Sequence, residues 1–459
     1  MRFLSKKAAA ADERDTVLRV LDEVVDKNAY LNISLDKNLR TGSLSAAGRA
    51  FVTEAATGTV RQMLLIDRII GDYSKIKLRR ISPPIMNILR MGVYQIVFMD
   101  RTPDSAACNE SVRLALRYGH KASAGFVNAV LRNISTSGGK IIYPDPAKNL
   151  TGYLSLKYSH PEWMVEKWLS DYGADFTEKL LKANNRKPPF TIRTNTLKLS
   201  RIELIERLSG KGYRASVNRM APEAVIIENP AAITETEEYA SGCFFIQDAG
   251  SMLAPHILDP KPGQLAVDVC AAPGGKATHM VQLMNGKGRL IAFDKHPHRL
   301  RLLKNAAEKT GTGIIETAMY NDMTLIESLK GQADKVLADV PCTGYGVIRR
   351  KPDIKLTASP DETAKLAEQQ YEILLRASDF VKPGGTLVYS TCTICPEENE
   401  RVVARFLNTS SDFMPDPVPD KIRISDIFPE LITGTGGFIR LFPNLHDTDG
   451  VFAARMARK

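Results

Sequence analysis

The sequence lacks an apolar run long enough to cross a bilayer, which takes about 20 residues, and its N-terminus lacks a signal-peptide core. Cysteine is also scarce in the 459 residues. The six thiols, at positions 108, 243, 270, 342, 392 and 395, are too few and too scattered for a disulfide framework. We therefore expect a cytoplasmic protein with reduced cysteines, and the length predicts two or three domains.

Acidic residues are under-represented in the first third of the chain. Residues 1–150 hold 23 Lys and Arg against 14 Asp and Glu, which is a net charge of +9 out of +10 for the whole sequence. A protein that neutralises phosphates releases their counterions and gains affinity from that release. The uneven charge therefore predicts a polyanion as the partner of the N-terminal region.

Strand-like alternation is absent from residues 11–140, where apolar residues recur at helical spacing, as in V-L-R-V-L-D-E-V-V at 17–25. This pattern predicts an all-α domain over residues 1–142, and Ser82 is a potential helix cap before Pro83 and Pro84. Residues 143–242 are predicted to form a linker helix and a small α+β subdomain, indicated by P-P-F-T-I-R-T-N-T-L at 188–197, a helix near 200–210 and the apolar A-V-I-I at 224–227.

From residue 243 onward, strands alternate with Gly-rich turns and helices. The strands L-A-V-D-V-C (265–270), R-L-I-A-F-D (289–294), K-V-L-A-D-V (335–340) and T-L-V-Y-S-T (386–391) predict a doubly wound parallel sheet over 243–459. Such sheets bind ligands outside the carboxyl ends of their strands. We therefore sought candidate functional residues at those ends.

The first strand runs into C-A-A-P-G-G-K at 270–276, where Gly274 and Gly275 permit a sharp turn against a ligand. Asp294 ends the second strand, 19 residues after Gly275, where a carboxylate reaches a ribose diol. The turn is not G-x-G-x-x-G, and no G-x-x-x-x-G-K-[ST] occurs, so a nucleoside such as S-adenosylmethionine fits better than NAD or ATP. The predicted cofactor site comprises Cys270, Ala271, Ala272, Pro273, Gly274, Gly275, Lys276, Asp294, Asp322 and Asp339.

The stretch Y-S-T-C-T-I-C-P at 389–396 contains two cysteines three residues apart. A zinc site would need a second pair of Cys or His ligands at matched spacing, and a thioredoxin-like pair would follow the first strand of its fold. We therefore predict no metal. A nucleophile at a strand end and a small buried hydrophobe both remain open for Cys392, and Pro396 is predicted to lie in the first turn of the next helix.

Three motifs together resemble those of the RNA 5-methylcytosine methyltransferases, the NSUN and Fmu/Sun family. They are C-A-A-P-G-G-K, D-V-P-C-T-G followed by G-V-I-R-R-K-P-D-I-K, and Y-S-T-C-T-I-C-P-E-E-N-E, and the resemblance covers about residues 160–459. The helical segment ending in F-V-N-A-V-L-R-N-I is similar to the RNA-binding domain of the NusB antitermination factor. The resemblance implies a NusB-like domain joined to a Rossmann-like class I methyltransferase domain, with 16S rRNA as substrate.

The resemblance also implies roles for individual residues. Cys392 would attack carbon-6 of cytosine, Asp339 would hydrogen-bond near ring nitrogen 3, and Cys342 would assist elimination, while Cys395 would be structural. The charge run Arg349-Arg350-Lys351 is a candidate for phosphate contact, and a solvated surface run is the alternative. The same chemistry on tRNA, and a non-catalytic RNA-binding or assembly factor, remain as alternatives. We expect a monomer that binds RNA and no membrane.

Overall fold

The computed structural model describes residues 13–40, 44–419 and 437–459. The N-terminal residues on which the absence of a signal peptide was judged lie outside this part. By their internal contacts the described residues fall into two units. One contains the residues up to Asn185 together with Arg350–Ala358, and the other contains Arg186–Arg349 and Ser359–Lys459. None of the helices described here is long and apolar enough to span a membrane.

The first unit is helical throughout its described residues, as the spacing of apolar residues predicts. Its helices are α1 (Glu13–Leu21), α2 (Leu31–Arg40), α3 (Ala46–Arg61), α4 (Met63–Tyr73), α5 (Pro83–Phe98), α6 (Asp104–Tyr118), α7 (Lys121–Ser137), α8 (Leu150–Tyr158), α9 (Glu162–Tyr172) and α10 (Ala174–Asn184). Buried apolar side chains from α1 to α7 form one continuous core. Ser82 stands at the N-cap of α5, but its side chain makes no capping hydrogen bond.

The second unit begins with a small antiparallel sheet in the order β2-β3-β1-β4. The strands are β1 (Thr191–Thr194), β2 (Ala215–Val217), β3 (Ala224–Ile227) and β4 (Phe244–Ile246), with α11 (Arg201–Gly210) and α12 (Glu237–Ala240) between them. The α11 helix buries Leu204 and Leu208 against Ile192 and Val225 of the sheet. The predicted α+β subdomain is confirmed.

The main sheet of this unit has the order β10-β12-β9-β8-β5-β6-β7, with β11 paired to β12. Its strands are β5 (Leu265–Asp268), β6 (Arg289–Asp294), β7 (Ile315–Met319), β8 (Ala333–Asp339), β9 (Val381–Thr391), β10 (Phe413–Pro415), β11 (Phe438–Leu441) and β12 (Val451–Arg458). The remaining helices are α13 (Leu253–Leu258), α14 (Gly275–Leu283), α15 (Pro297–Thr310), α16 (Met323–Leu329), α17 (Ile354–Thr357, which lies in the first unit), α18 (Pro360–Phe380), α19 (Glu400–Thr409) and α20 (Pro443–His446).

Two predictions about the second unit need correction, one on the sheet and one on the helix that follows Cys392. The strands from β9 to β7 are parallel, but β12 pairs with β9 in the antiparallel sense and β10 and β11 pair with β12 in the same way, so the sheet is mixed. Pro396 does not start a helix, because residues 396–399 form a turn and α19 begins only at Glu400. The turn forms because the side chains of Glu398 and Asn399 point inward and bind the loops beside them.

Candidate active site

The parallel strands bring the sequence-predicted residues to one edge of the sheet. Strands β5, β6, β8 and β9 run in the same direction, and in this register Asp339 lies opposite Ser390. The segments that follow these four strands are 270–276, 294–299, 339–346 and 392–399. Because the carboxyl ends of parallel strands lie at the same edge, these segments form one candidate site.

The Gly-rich turn joins the end of β5 to α14. Gly274 is the N-cap of α14 with φ +110, a conformation that residues with a side chain rarely adopt, and a Cβ there would lie 3.3 Å from Leu303 Cγ. The fully buried Arg193 of β1 binds the start of α14, donating to the Gly275 carbonyl and, at 2.8 Å, to Thr278 Oγ1. Burial lowers the pKa of this guanidinium to about 9. A charged residue inside a strand was the only sequence signal of this support.

Asp294 is buried at the end of β6, and its Oδ1 accepts a hydrogen bond of 2.9 Å from the His296 amide. Its Oδ2 lies 3.2 Å from Nη1 of Arg299, whose other nitrogen donates to the Ala272 carbonyl in the Gly-rich turn. Arg299 thus connects two of the predicted cofactor segments. It was missed in the sequence, although its place in the first turns of α15, just after Asp294, was visible.

The structure pairs Lys276 of the predicted cofactor site with Asp339, at 2.6 Å between Nζ and Oδ2. Burial lowers the pKa of the ammonium, but the Asp339 carboxylate more than offsets this, so the pKa of Lys276 is raised. Asp322 is exposed and caps α16, accepting from the Leu325 amide at 3.1 Å. The sequence predicted no partner for either residue.

Asp268, the last residue of β5, is a buried carboxylate that the sequence reasoning overlooked. Its Oδ1 accepts from the Cys270 amide at 3.3 Å, and its Oδ2 has no hydrogen-bond partner among the residues that the structure describes. Burial, with a smaller contribution from the Asp339 charge, raises its pKa to about 7. Unpartnered buried oxygens are costly, and they mark a place where a ligand can donate a hydrogen bond.

The two cysteines singled out in the sequence meet at this edge. Cys342 and Cys392, 50 residues apart in the chain, have their Sγ atoms 3.1 Å apart, and the Cys392 amide donates to the Cys342 sulfur at 3.3 Å. The hydrogen bond with Cys392, followed by burial, raises the pKa of Cys342. Cys395 is 1% exposed and lies in the core, where the sequence predicted a structural role.

Gly346 fixes how closely the two cysteine loops approach. Its amide donates to the Cys392 carbonyl at 3.1 Å, and its carbonyl accepts from the Gly450 amide at 2.8 Å. A Cβ at this position would lie 2.2 Å from the Gly450 carbonyl oxygen and 2.7 Å from that of Cys392. Only glycine allows this approach.

The charge run after the Cys342 loop is placed differently from the prediction. Arg349 is 1% exposed and lies 3.1 Å from Asp447 and 3.9 Å from Asp449, so it is not available to a phosphate. Three consecutive basic residues suggested a solvated surface, but the chain of α20 and its following turn covers the first of them. Lys351 is exposed.

One cluster of described residues has the composition of a metal site. Glu223, His256 and His279 place their ligand atoms within 4.8 Å of one another, with Glu223 Oε1 at 3.0 Å from His256 Nε2 and 2.6 Å from His279 Nε2. Burial, with a smaller contribution from the buried Arg193 guanidinium, lowers the pKa of His279 to about 4. Because a divalent cation would meet the positive charge of Arg193, we assign the cluster to packing between the start of β3 and helices α13 and α14.

Models of known protein families match three separate parts of the chain. Residues 255–457 match the model of the 16S rRNA methyltransferase RsmB/F family, and residues 11–136 match the NusB family. Residues 160–234 match the ferredoxin-like domain of RsmF/B-like methyltransferases. Each of these matches falls on one of the three predicted regions, although the predicted boundaries themselves stay a prediction.

Relatives that align over almost the whole chain decide the identification. The probable ribosomal RNA small subunit methyltransferase B of Bacillus subtilis is 36% identical over 447 residues, which cover 97% of this chain and 98% of the relative. This chain belongs to the ribosomal RNA small subunit methyltransferase B family. A second member, from Synechocystis, is 31% identical over 97% of this chain and 99% of its own length.

Solved structures support the same fold for this family member. The protein PH0851 superimposes with a TM-score of 0.80 at 27% identity, over 98% of this chain and 100% of that chain. A methyltransferase homologue from Pyrococcus horikoshii gives a TM-score of 0.56 at 29% identity, over 69% of this chain and 100% of its own. As a member of the methyltransferase B family, the chain is a methyltransferase, and the edge described above is its candidate active site.

Proposed function

We propose that this enzyme transfers a methyl group from S-adenosylmethionine to carbon-5 of a cytosine in 16S rRNA, through a covalent bond between Cys392 and the base. The observation that supports this most strongly is the 3.1 Å separation of the Cys342 and Cys392 sulfurs. Two thiols from separate strand ends, beside Asp339 and the Gly-rich turn, provide one group for attack and one for release.

The chemistry requires a nucleophile because carbon-5 of cytosine is too electron-poor to take a methyl group directly. The Cys392 thiolate forms a bond to carbon-6, which makes carbon-5 an enamine carbon that can attack the methyl group. The bond between that methyl group and the cofactor sulfonium breaks, and S-adenosylhomocysteine leaves. Cys342 then takes the proton from carbon-5, the sulfur–carbon-6 bond breaks, and the double bond and the Cys392 thiolate are restored.

The described residues fit an S-adenosylmethionine molecule, which supplies an electrophilic methyl group when bound. Gly274, with φ +110, makes a sharp turn at the start of α14, and Asp294 ends β6 at the distance along the chain typical of a ribose-binding acid. Asp268 Oδ2 offers an acceptor that lacks a donor among the described residues. We propose that these segments, with 270–276, Asp322 and Asp339, bind the cofactor.

Replacing Asp294 by alanine is expected to weaken cofactor binding by about 1.5–3 kcal/mol, the usual worth of hydrogen bonds to a charged group. This corresponds to roughly a ten- to hundredfold higher dissociation constant for S-adenosylhomocysteine by calorimetry. Asp294→Asn, which keeps one acceptor oxygen, should lose less. Asp361→Ala, on the exposed start of α18, serves as control, and an unchanged affinity of the Asp294→Ala protein would place the ribose elsewhere.

The N-terminal unit carries a surface suited to RNA backbone. Two stretches, residues 73–99 and 111–144, contain no Asp or Glu. The exposed Lys75, Lys77, Arg79 and Arg80 have no carboxylate partner among the described residues, and they lead directly into α5. Gly119, in the turn between α6 and α7, lies close to Ile85 in the first turns of α5, and Lys121 at the start of α7 is exposed.

Replacing Lys75, Lys77, Arg79 and Arg80 by glutamine is therefore expected to weaken binding of a 16S rRNA fragment and to flatten its salt dependence. Each lost phosphate contact lowers the slope of log K against log salt by about 0.7–0.9. A matched variant removes four basic residues that already pair with acids in the same unit: Arg40, Arg68, Lys167 and Lys179. Equal slopes for the two variants would mean that this unit supports the enzyme without contacting RNA.

Transfer of a labelled methyl group tests which RNA is the substrate. We expect the purified protein to transfer a labelled methyl group to unmodified 16S rRNA and not to bulk tRNA, and bisulfite sequencing of the product should show one protected cytosine. Methylation of tRNA instead would favour the alternative substrate, and no transfer to either RNA would favour a non-catalytic assembly factor. An rRNA substrate agrees with the predicted cytoplasmic location.

A further inference from the structure

Glu398 is a fully buried carboxylate in the turn that follows Cys392, and none of the described Lys, Arg or His residues pairs with it. Its Oε2 accepts from the Thr343 amide at 2.9 Å and from Gln370 Nε2 at 2.8 Å, while its Oε1 accepts from Thr343 Oγ1 at 2.5 Å. Burial raises the pKa of this carboxyl group. Three donors therefore compensate for a burial that would otherwise be costly.

Two of those three donors belong to the residue directly after Cys342. The Thr343 hydroxyl also lies 2.8 Å from the hydroxyl of Thr393, which directly follows Cys392. Asn399, next to Glu398, binds the other loop, accepting from Thr391 Oγ1 at 2.6 Å and donating to the Thr393 carbonyl at 3.1 Å. Consecutive residues of one turn thus hold the two cysteine loops, Glu398 the Cys342 loop and Asn399 the Cys392 loop.

We propose that Glu398 is a positioning residue that holds Cys342 where it can remove the proton from carbon-5, and so controls release of the methylated base. The inference rests on the cysteine roles proposed above. Glu398 has no exposed surface, and the Thr343 amide and hydroxyl, which belong to the residue next to Cys342, are two of its donors. The main consequence of losing it should therefore be on the release step.

The substitution Glu398→Gln isolates this function because it preserves the shape of the side chain. The carboxylate accepts all three hydrogen bonds. With the amide nitrogen at the Oε2 position it would face the Thr343 and Gln370 N–H donors, and with the amide nitrogen at the Oε1 position the Thr343 hydroxyl would have to accept instead of donate. Either arrangement loses hydrogen bonds to Thr343 or replaces charge-assisted ones by weaker neutral ones, so the Cys342 loop should be held less firmly. Asn399 holds the Cys392 loop, so attack by Cys392 should continue.

Two RNA substrates separate the steps. In RNA that contains 5-fluorocytidine, carbon-5 carries fluorine, which cannot leave as a proton, so the adduct is trapped after methyl transfer and reports attack and transfer without release. Ordinary RNA reports the complete turnover. For Glu398→Gln we expect trapping at close to the wild-type rate, turnover reduced on the order of ten- to hundredfold, accumulation of protein bound to ordinary methylated RNA, and unchanged cofactor affinity.

The matched control is Glu368→Gln, the same change at an exposed glutamate of α18 that pairs with Arg405 outside the candidate site. It should leave both measurements unchanged. Thr343→Val, which removes the hydroxyl without changing the volume much, tests the same contact from the other side and serves if the Glu398 variant does not fold. Its effect on turnover should be non-additive with that of Glu398→Gln.

The outcomes separate this inference from the proposed function. If the wild-type protein traps no 5-fluorocytidine RNA, the covalent mechanism itself is wrong. If the wild-type protein traps RNA but Glu398→Gln turns over at the normal rate, only the role of Glu398 is overturned. A parallel fall of trapping and turnover also overturns it, because Glu398 would then support the whole site.

Discussion

Replacing Cys392 by alanine is expected to abolish methyl transfer and to leave the protein free of RNA on a denaturing gel. The alanine side chain cannot add to carbon-6, and without that bond carbon-5 does not become nucleophilic. The measurement is transfer of a labelled methyl group to unmodified 16S rRNA, scored together with the shifted RNA-bound band. We expect both signals to fall to background.

Cys395→Ala is the matched control for this experiment. Cys395 lies in the same stretch but is buried in the core, 1% exposed, so its loss should lower stability by about 1 kcal/mol, as truncation of a small buried side chain does, and leave the adduct intact. If methyl transfer survives in the Cys392→Ala protein but disappears in the Cys395→Ala protein, the nucleophile is Cys395 and not Cys392.

Replacing Cys342 by alanine should have the opposite effect on the gel. Attack and methyl transfer remain possible, but the group that takes the proton from carbon-5 is gone, so the protein should accumulate in covalent attachment to methylated RNA. Turnover should stop after about one methyl group per protein, seen as a burst without a steady phase.

The band of the Cys342→Ala protein must carry the methyl label, and it must disappear in the double variant with Cys392→Ala. A band without label would mean that Cys342 acts before methyl transfer. If instead the adduct forms only when Cys342 is intact and Cys392 is absent, the two roles are exchanged.

The sequence was sufficient to predict the features that depend on residues close together along the chain. Gly274, Asp294 and Cys392 each follow a strand with a clear apolar pattern, so the edge of the sheet on which they lie could be predicted from the strands alone. The helical first unit was predictable for the same reason, since its spacing repeats over more than 100 residues. The role of Cys392 was taken from the family resemblance, and the roles of all three residues stay proposals.

The contacts that organise the site could not be predicted, because they join residues far apart in the chain. Lys276 pairs with Asp339 across 63 residues, and Thr343 binds Glu398 across 55 residues. Such pairs depend on strand order and on the approach of loops after folding. The same reason explains the error at Arg349, whose partners Asp447 and Asp449 lie about a hundred residues further along the chain.

The short distance between the two sulfurs also determines when each of them can act. At 3.1 Å, Cys392 raises the pKa of Cys342, first through their hydrogen bond and also through its charge. In the proposed reaction Cys392 becomes an uncharged thioether when it bonds to carbon-6, and the pKa of Cys342 then loses that upward contribution. Cys342 would therefore become easier to deprotonate after attack, so the spacing of the pair would couple formation of the covalent bond to the readiness of the second thiol to take the proton.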